Sequence, residues 1–252
     1  MREVGEPAFV HLGHWDTPPT ERLSPDALSA AQLRLTERLL AMAGVSDDMA
    51  VLDVACGLGG TLAVLNARLC GMTLVGLDAD LRQLAIARRI VSRPGNHVDW
   101  SCGDACCLPF PGSRFACVLC IEAMFHFSSR RAFMAEAKRV LCPGGRLVFS
   151  DIVLKKPRGS VSSVESMIRE GMGPWPDPWG ADANHDALAG AAGLTPLHTI
   201  DATAATLPSH DCILDGPDPP DARLAAVRRA SLMLAWLHRH GYLRVIYKSY
   251  RA

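Results

Sequence analysis

Val51-Leu-Asp-Val-Ala-Cys-Gly-Leu-Gly-Gly-Thr61 is the stretch on which the fold turns. Val51 to Val54 read as a buried strand, Ala55 to Gly60 as a turn of small residues, and Thr61 to about Cys70 as a helix. A strand that ends in a glycine turn and feeds a helix lets the backbone approach a ligand closely. A second strand, Thr73 to Leu77, follows and ends at Asp78. An acidic side chain at the tip of the second strand is the usual ribose-hydroxyl acceptor of a nucleoside-binding α/β sheet.

A dinucleotide site wants G-x-G-x-x-G, whose third glycine lets the helix pack beneath a pyrophosphate. The order here is Asp53-x-Ala55-x-Gly57-x-Gly59-Gly60, with a carboxylate two residues ahead of the turn. This resembles motif I of the class I S-adenosylmethionine (SAM) methyltransferases, D/E-x-G-x-G-x-G. The departure is Ala55, which stands where the first glycine usually does; it predicts some loss of room in an otherwise intact pocket. The resemblance implies a seven-stranded, mostly parallel, doubly wound α/β sheet. It also implies that Asp53, Ala55, Cys56, Gly57, Gly59, Asp78 and Ala79 surround the methionine tail and ribose of SAM.

Later segments extend the resemblance. After a predicted helix over Leu81–Val91, His97 to Ser101 is a third strand, followed by Gly103-Asp104-Ala105, where the family places the acceptor of the adenine amino group. An aspartate in a turn also caps locally, and that reading stays open. Phe115 to Ile121 is an unbroken apolar run and a buried fourth strand. Ligands of an open α/β sheet sit beyond the carboxyl ends of its strands, so Ile121 and Glu122 are placed at the cofactor, and Phe125, His126 and Phe127 at the acceptor. Family members carry a similar E-x-x-x-H step, with the histidine near the acceptor atom in several O-methyltransferases. His126 is the candidate general base, a cap or core histidine the plainer alternative. Leu141-Cys-Pro-Gly-Gly-Arg-Leu147 matches the family's turn into strand five. Asp151 is expected at that strand's tip, to orient or charge-stabilise His126, to take a substrate proton itself, or merely to cap a turn.

Before the sheet, Leu12-Gly-His-Trp15 resembles the stretch that folds over the methionine end of SAM in many small-molecule methyltransferases, which makes Trp15 a candidate cofactor residue; the alternative is a packed tail with a buried Trp15 ring. Ser24-Pro25-Asp26 starts a helix that Gly44 stops. After strand five, residues 152–182 become rich in proline, with a short helix expected over Val161–Glu170. In the family this insertion caps the substrate, which assigns Met167, Met172, Trp175 and Trp179 to an apolar acceptor wall; the tryptophans as core residues is the competing reading. A helix over Asn184–Leu194, a strand over Leu197–Thr203, a long helix over Asp221–His240 and a strand over Leu243–Tyr247 complete a single domain. It divides into an N-terminal lid and helix (1–45), a SAM-binding core (46–151), the cap (152–182) and the rest of the sheet (183–252).

The chain has 252 residues, 26 basic and 26 acidic side chains and nine cysteines. Zero net charge gives no electrostatic reason for a nucleic-acid or membrane-surface partner, and the Asn-Pro-Pro-Tyr step of amino-directed DNA enzymes is absent after strand four. No apolar run reaches the ~20 residues of a membrane span, and Met1 to Pro7 has no hydrophobic signal core, so a cytoplasmic protein is expected. The cysteines read as reduced structural thiols: Cys117 and Cys120, three apart on one strand, face opposite sides and cannot chelate together, and no metal is indicated. The expectation is methyl transfer from SAM to a small-molecule acceptor in specialised metabolism. O-methylation with His126 as base ranks first, then N- and C-methylation; a SAM-fold protein without transfer, cyclase-like or structural, stays open. A nicotinamide dehydrogenase is disfavoured by the missing third glycine and the closing helix–strand pair. A homodimer is left open.

Overall fold

The computed structural model describes residues 8–17, 19, 24–155, 162–179, 184–214 and 221–252. The first seven residues, the expected helix start at Val161 and parts of the expected cap (156–161, 180–182) lie outside them.

The seven strands are β1 (Ala50–Val54), β2 (Thr73–Asp78), β3 (His97–Cys102), β4 (Phe115–Ile121), β5 (Leu141–Leu154), β6 (Thr195–Asp201) and β7 (Leu243–Arg251). They form one sheet in the order β3-β2-β1-β4-β5-β7-β6. The first five pair in parallel, and β7 inserts antiparallel between β5 and β6. This is the doubly wound α/β sheet expected from the sequence. The chain winds outward from β1 to β3, then restarts at β4 on β1's other side. The crevice at that switch point, past the carboxyl ends of β1 and β4, is where such sheets bind ligands.

Helices cover both faces. They are α1 (Pro25–Ala43), α2 (Gly60–Arg68), α3 (Leu81–Ala87), α4 (Arg130–Val140), α5 (Ser162–Met172), α6 (His185–Ala191), α7 (Thr203–Thr206), α8 (Ser209–Leu214) and α9 (Ala222–Arg239). Their starts follow local chemistry: the side chains of Ser24, Ser129 and Asp221 accept the Ala27, Ala132 and Leu224 amides at the heads of α1, α4 and α9. Gly44 ends α1 in the left-handed conformation. Alternation along β4 splits the core in two. Cys117, Leu119 and Ile121 join Leu35, Leu39 and Leu237 on one face; Val118 and Cys120 join Phe133, Met134 and Leu188 on the other. Cys117 and Cys120 therefore sit on opposite faces, and no disulfide links any of the nine cysteines.

Two elements depart from expectation in ways that matter below. Helix α3 ends at Ala87, well short of Val91, because the side chain of Asn66 holds both the Val91 carbonyl and the Arg93 amide and turns the chain back. Strand β5 runs on to Leu154, held by β7 through Asp151↔Ile246 and Ile152↔Val245. Asp151 is thus interior to a strand. The cap helix α5 packs against α9; a side chain at Gly171 would meet the Ala226 carbonyl at 2.4 Å and the Ala230 methyl at 2.5 Å, so glycine sets how closely they cross.

Candidate active site

A cavity of about 990 Å³ opens over the carboxyl ends of the strands. Ala55, Gly57, Asp78, Ala79, Gly103, Asp104, Ala105, Ile121 and Glu122 line one part, as expected. Phe125, His126, Phe127, Met172 and Trp175 line another, also as expected.

In the first part, Asp78 ends β2, and its two carboxylate oxygens accept the Gly57 amide at 2.9 Å and the Asp80 amide at 2.8 Å. The carboxylate thus fixes the glycine turn against the head of α3. Gly57 has φ +56, and a Cβ there would meet Gln83 Oε1 at 3.1 Å. Ala55 also sits at positive φ, +56, the left-handed region a methyl side chain disfavours. Asp53 lies buried beneath the turn, and burial together with the nearby Asp78 charge pushes its carboxyl up to about 8. At the end of β3, Asp104 accepts the Cys106 amide at 2.8 Å. Glu122 follows β4 with φ +47, a strained backbone of the kind found at functional sites. It is anchored by its amide to Ser150 Oγ at 2.9 Å, and burial raises its carboxyl to about 7.

In the second part, Met124–His126 form one turn of 3-10 helix. The Phe125 and Trp175 rings stack 4.3 Å apart, joining the strand end to the cap. His126 Nδ1 lies 2.7 Å from the Pro174 carbonyl oxygen. A carbonyl only accepts, so Nδ1 carries the hydrogen and Nε2 the lone pair. Burial lowers the His126 pKa, against the Pro174 hydrogen bond and the Asp151 charge, which raise it.

Several assignments need correction. Asp151 does not line the cavity and makes no hydrogen bond to His126: Arg130 Nε donates to its Oδ2 at 2.8 Å, Arg130 Nη2 lies 3.4 Å from its Oδ1, and His185 Nε2 lies 2.8 Å from the same Oδ2. Because β5 continues, Asp151 faces the α4–α6 side, while its neighbour Ile152 lines the cavity. Trp15 is buried away from the cavity, its indole N–H donating to Ser209 Oγ at 3.1 Å. The residues that cover the glycine turn are Phe9 to Leu12 of the same strap. Asp53 beneath the turn and Cys56 and Gly59 within it are not on the cavity wall, and Gly59 caps α2. Met167 and Trp179 are half-buried outside the cavity, with the Trp179 indole donating to Glu165.

Other lining residues went unread: Gln32 of α1, Gln83 of α3, Cys102, His210 of α8, Val227, Ser231 and Leu234 of α9, and Leu243 of β7. The apolar spacing of α9 was visible, but not that Val227, Ser231 and Leu234 turn toward the site.

The first part fits a nucleoside with an amino-acid tail. Asp78 and Asp104 offer carboxylates at adjacent strand ends, and Gly57 leaves open a place that a side chain would fill. Among the described residues no helix is long and apolar enough to cross a membrane, and no His/Cys/Asp/Glu group has a metal-binding arrangement.

Residues 52–149 match the methyltransferase-domain family. The chain is 34% identical over 243 residues to the methyltransferase GfsG of Streptomyces halstedii, covering 93% of this chain and 84% of that protein. Among solved structures it resembles the mycolic acid cyclopropane synthase CmaA1 complexed with SAH (TM-score 0.79, 17% identity, 97% of this chain and 90% of that one). It also resembles geranyl diphosphate methyltransferase in complex with GPP and sinefungin (TM-score 0.78, 20% identity, 98% and 90%). The [4+2]-cyclase SpnF shares the fold as well (TM-score 0.77, 21% identity, 98% and 89%). With the sheet order, the glycine turn and the two strand-end carboxylates in place, the chain belongs to the class I SAM-dependent methyltransferases of small molecules, and SAM is its cofactor.

Proposed function

We propose that the protein methylates a hydroxyl group on a largely apolar small molecule, with His126 as general base. The hydrogen bond from Nδ1 to the Pro174 carbonyl carries this reading, because it leaves Nε2 as the proton acceptor. Burial lowers the pKa, so the ring is neutral at pH 7 and ready to accept a proton. The half-buried position of the ring leaves a route for that proton to solvent.

When bound, SAM supplies an already electrophilic methyl group, so the protein's task is alignment and exclusion of water. Phe125 and Trp175, with Ile152, Met172, Leu234 and Leu243, form an apolar wall that suits a hydrophobic acceptor. The Phe9–Leu12 strap covers the cofactor side, held by the Leu12 amide on Glu122 Oε2 at 2.8 Å. Relatives support an oxygen acceptor. An O-methyltransferase of Pyrenophora dematioidea is 31% identical over 150 residues, and the 27-O-demethylrifamycin SV methyltransferase of Amycolatopsis mediterranei 30% over 167. The chain spans 54% and 59% of their lengths.

Isothermal titration comes first: SAM and S-adenosylhomocysteine (SAH) bind, NADH does not. A panel of hydroxylated and amine metabolites then identifies the acceptor. His126→Ala lowers kcat about 10²–10⁴-fold and leaves SAH affinity unchanged. Near-wild-type turnover of that variant at both neutral and alkaline pH would remove the base and favour an amine acceptor.

A further inference from the structure

His210, on the cavity wall beside α9, belongs to a chain of hydrogen bonds whose direction is fixed at one end. His238 Nε2 lies 2.7 Å from the Thr203 carbonyl oxygen, and His238 Nδ1 lies 3.0 Å from His210 Nε2. The carbonyl only accepts, so His238 carries its hydrogen on Nε2 and, while neutral, presents a lone pair at Nδ1. His210 Nε2 must then donate, which leaves His210 Nδ1 as a bare acceptor. Burial favours the neutral form of both rings, lowering His210 to about 3 and lowering His238 as well.

The contrast with His11 is instructive. That ring also lines the cavity, but Nδ1 is spent on the Leu12 carbonyl at 2.7 Å and Nε2 sits 3.3 Å from Thr36 Oγ1. His11 is satisfied by the protein. Among the described residues, the only side-chain hydrogen bond of His210 is to His238. Val227, Ser231 and Leu234 of α9 line the same cavity, Ser231 as a buried residue that brings a hydroxyl to a stretch otherwise apolar. An apolar cavity with a few convergent polar groups recognises polar groups on its ligand.

We propose that His210 Nδ1, assisted by Ser231, is a specificity subsite that accepts a hydrogen bond from a second hydroxyl of the acceptor, one that is not methylated. The acceptor class is then an apolar scaffold bearing at least two hydroxyls, one read at His126 and one at His210. This rests on the methyltransferase reading and extends it.

The test uses the full chain saturated with SAH, so that failure of cofactor binding is seen first and separately. Phenol is the donor probe, and anisole has the same ring with no donor. In ¹⁵N-histidine-labelled protein, His210 should show an unprotonated Nδ1 whose resonance moves with phenol and not with anisole. In a His126→Phe background, which removes the other histidine and leaves no acceptor in its place, phenol should bind about three- to tenfold more tightly than anisole, the worth of one net hydrogen bond. His210→Phe should erase that preference, and His210→Gln, which keeps an acceptor oxygen, should retain part of it. The proposal is overturned if SAH binds but phenol leaves the His210 resonance unmoved, or if His210→Phe keeps the phenol preference. If SAH does not bind, the methyltransferase reading falls instead.

Discussion

Arg130→Met tests whether Asp151 is a structural anion or a catalytic one. Arg130 is 4% exposed and Asp151 0%, and the guanidinium supplies two of the three donors around that carboxylate. Removing it leaves a charge in the core with His185 as its one remaining partner. Breaking a buried pair from one side costs about 3–5 kcal/mol. At about 2–4 °C per kcal/mol for a chain of this size, the melting temperature should fall by ~6–20 °C. Asp151→Leu in the same background removes the stranded charge, so the double variant should recover at least half of the loss. Urea unfolding followed by circular dichroism, with the four proteins of the cycle at pH 7, measures the coupling. A single-variant cost below about 1 kcal/mol, or additive costs in the double variant, would refute a buried structural pair. Activity gives the second arm. If Asp151 only holds β5 to α4 and α6, the folded double variant keeps kcat within about tenfold, since it lacks no group that touches the acceptor. A loss near that of His126→Ala, with SAH affinity intact, would return Asp151 to the chemistry.

Two further outcomes follow from the turn and from the buried histidines. Ala55→Gly relieves a left-handed φ that costs a non-glycine residue about 1–2 kcal/mol and gives back about 0.5–1 kcal/mol of chain entropy; a gain of up to about 1 kcal/mol in urea unfolding is expected, and a loss would mean that the Ala55 methyl packs usefully on the cavity wall. His11 is held neutral with a pKa of about 4 by burial, while its unfolded counterpart takes a proton near 6.5. The unfolded chain therefore binds more protons between those values, and stability falls as pH drops through that window. This one ring accounts for about 2 kcal/mol between pH 7 and pH 5, and His11→Gln should flatten that part of the profile; an unchanged slope would show that His11 is protonated in the folded state.

What the sequence made legible is what chain-local chemistry determines. The glycine turn, the cap at Ser24 and the opposed faces of Cys117 and Cys120 each depend on a few adjacent residues, and each stands as expected. Asp78, Gly103, Asp104, Ile121 and Glu122 were readable because each lies at a strand end, where position along the strand fixes position at the crevice. Asp151 was misplaced for the same reason in reverse. The end of β5 is set by pairing with β7 some ninety residues on, and a strand three or four residues longer moves a residue from the rim to the core. Trp15 stands off the cavity wall while its segment covers it, since its partner Ser209 is more remote still.

Remote contacts of the same kind join the strap to both histidine-bearing segments. The strap that covers the cofactor side is tied through two adjacent residues: Leu12 to Glu122, four residues before His126, and Gly13 to Ser209, the residue before His210. Its backbone is further pinned by His14 to Ala31 and by Trp15 to Ala205. Opening the cavity over the glycine turn means breaking bonds to the same segments that carry the two histidines. The strap is thereby bonded directly to both segments, each within four residues of one of these histidines.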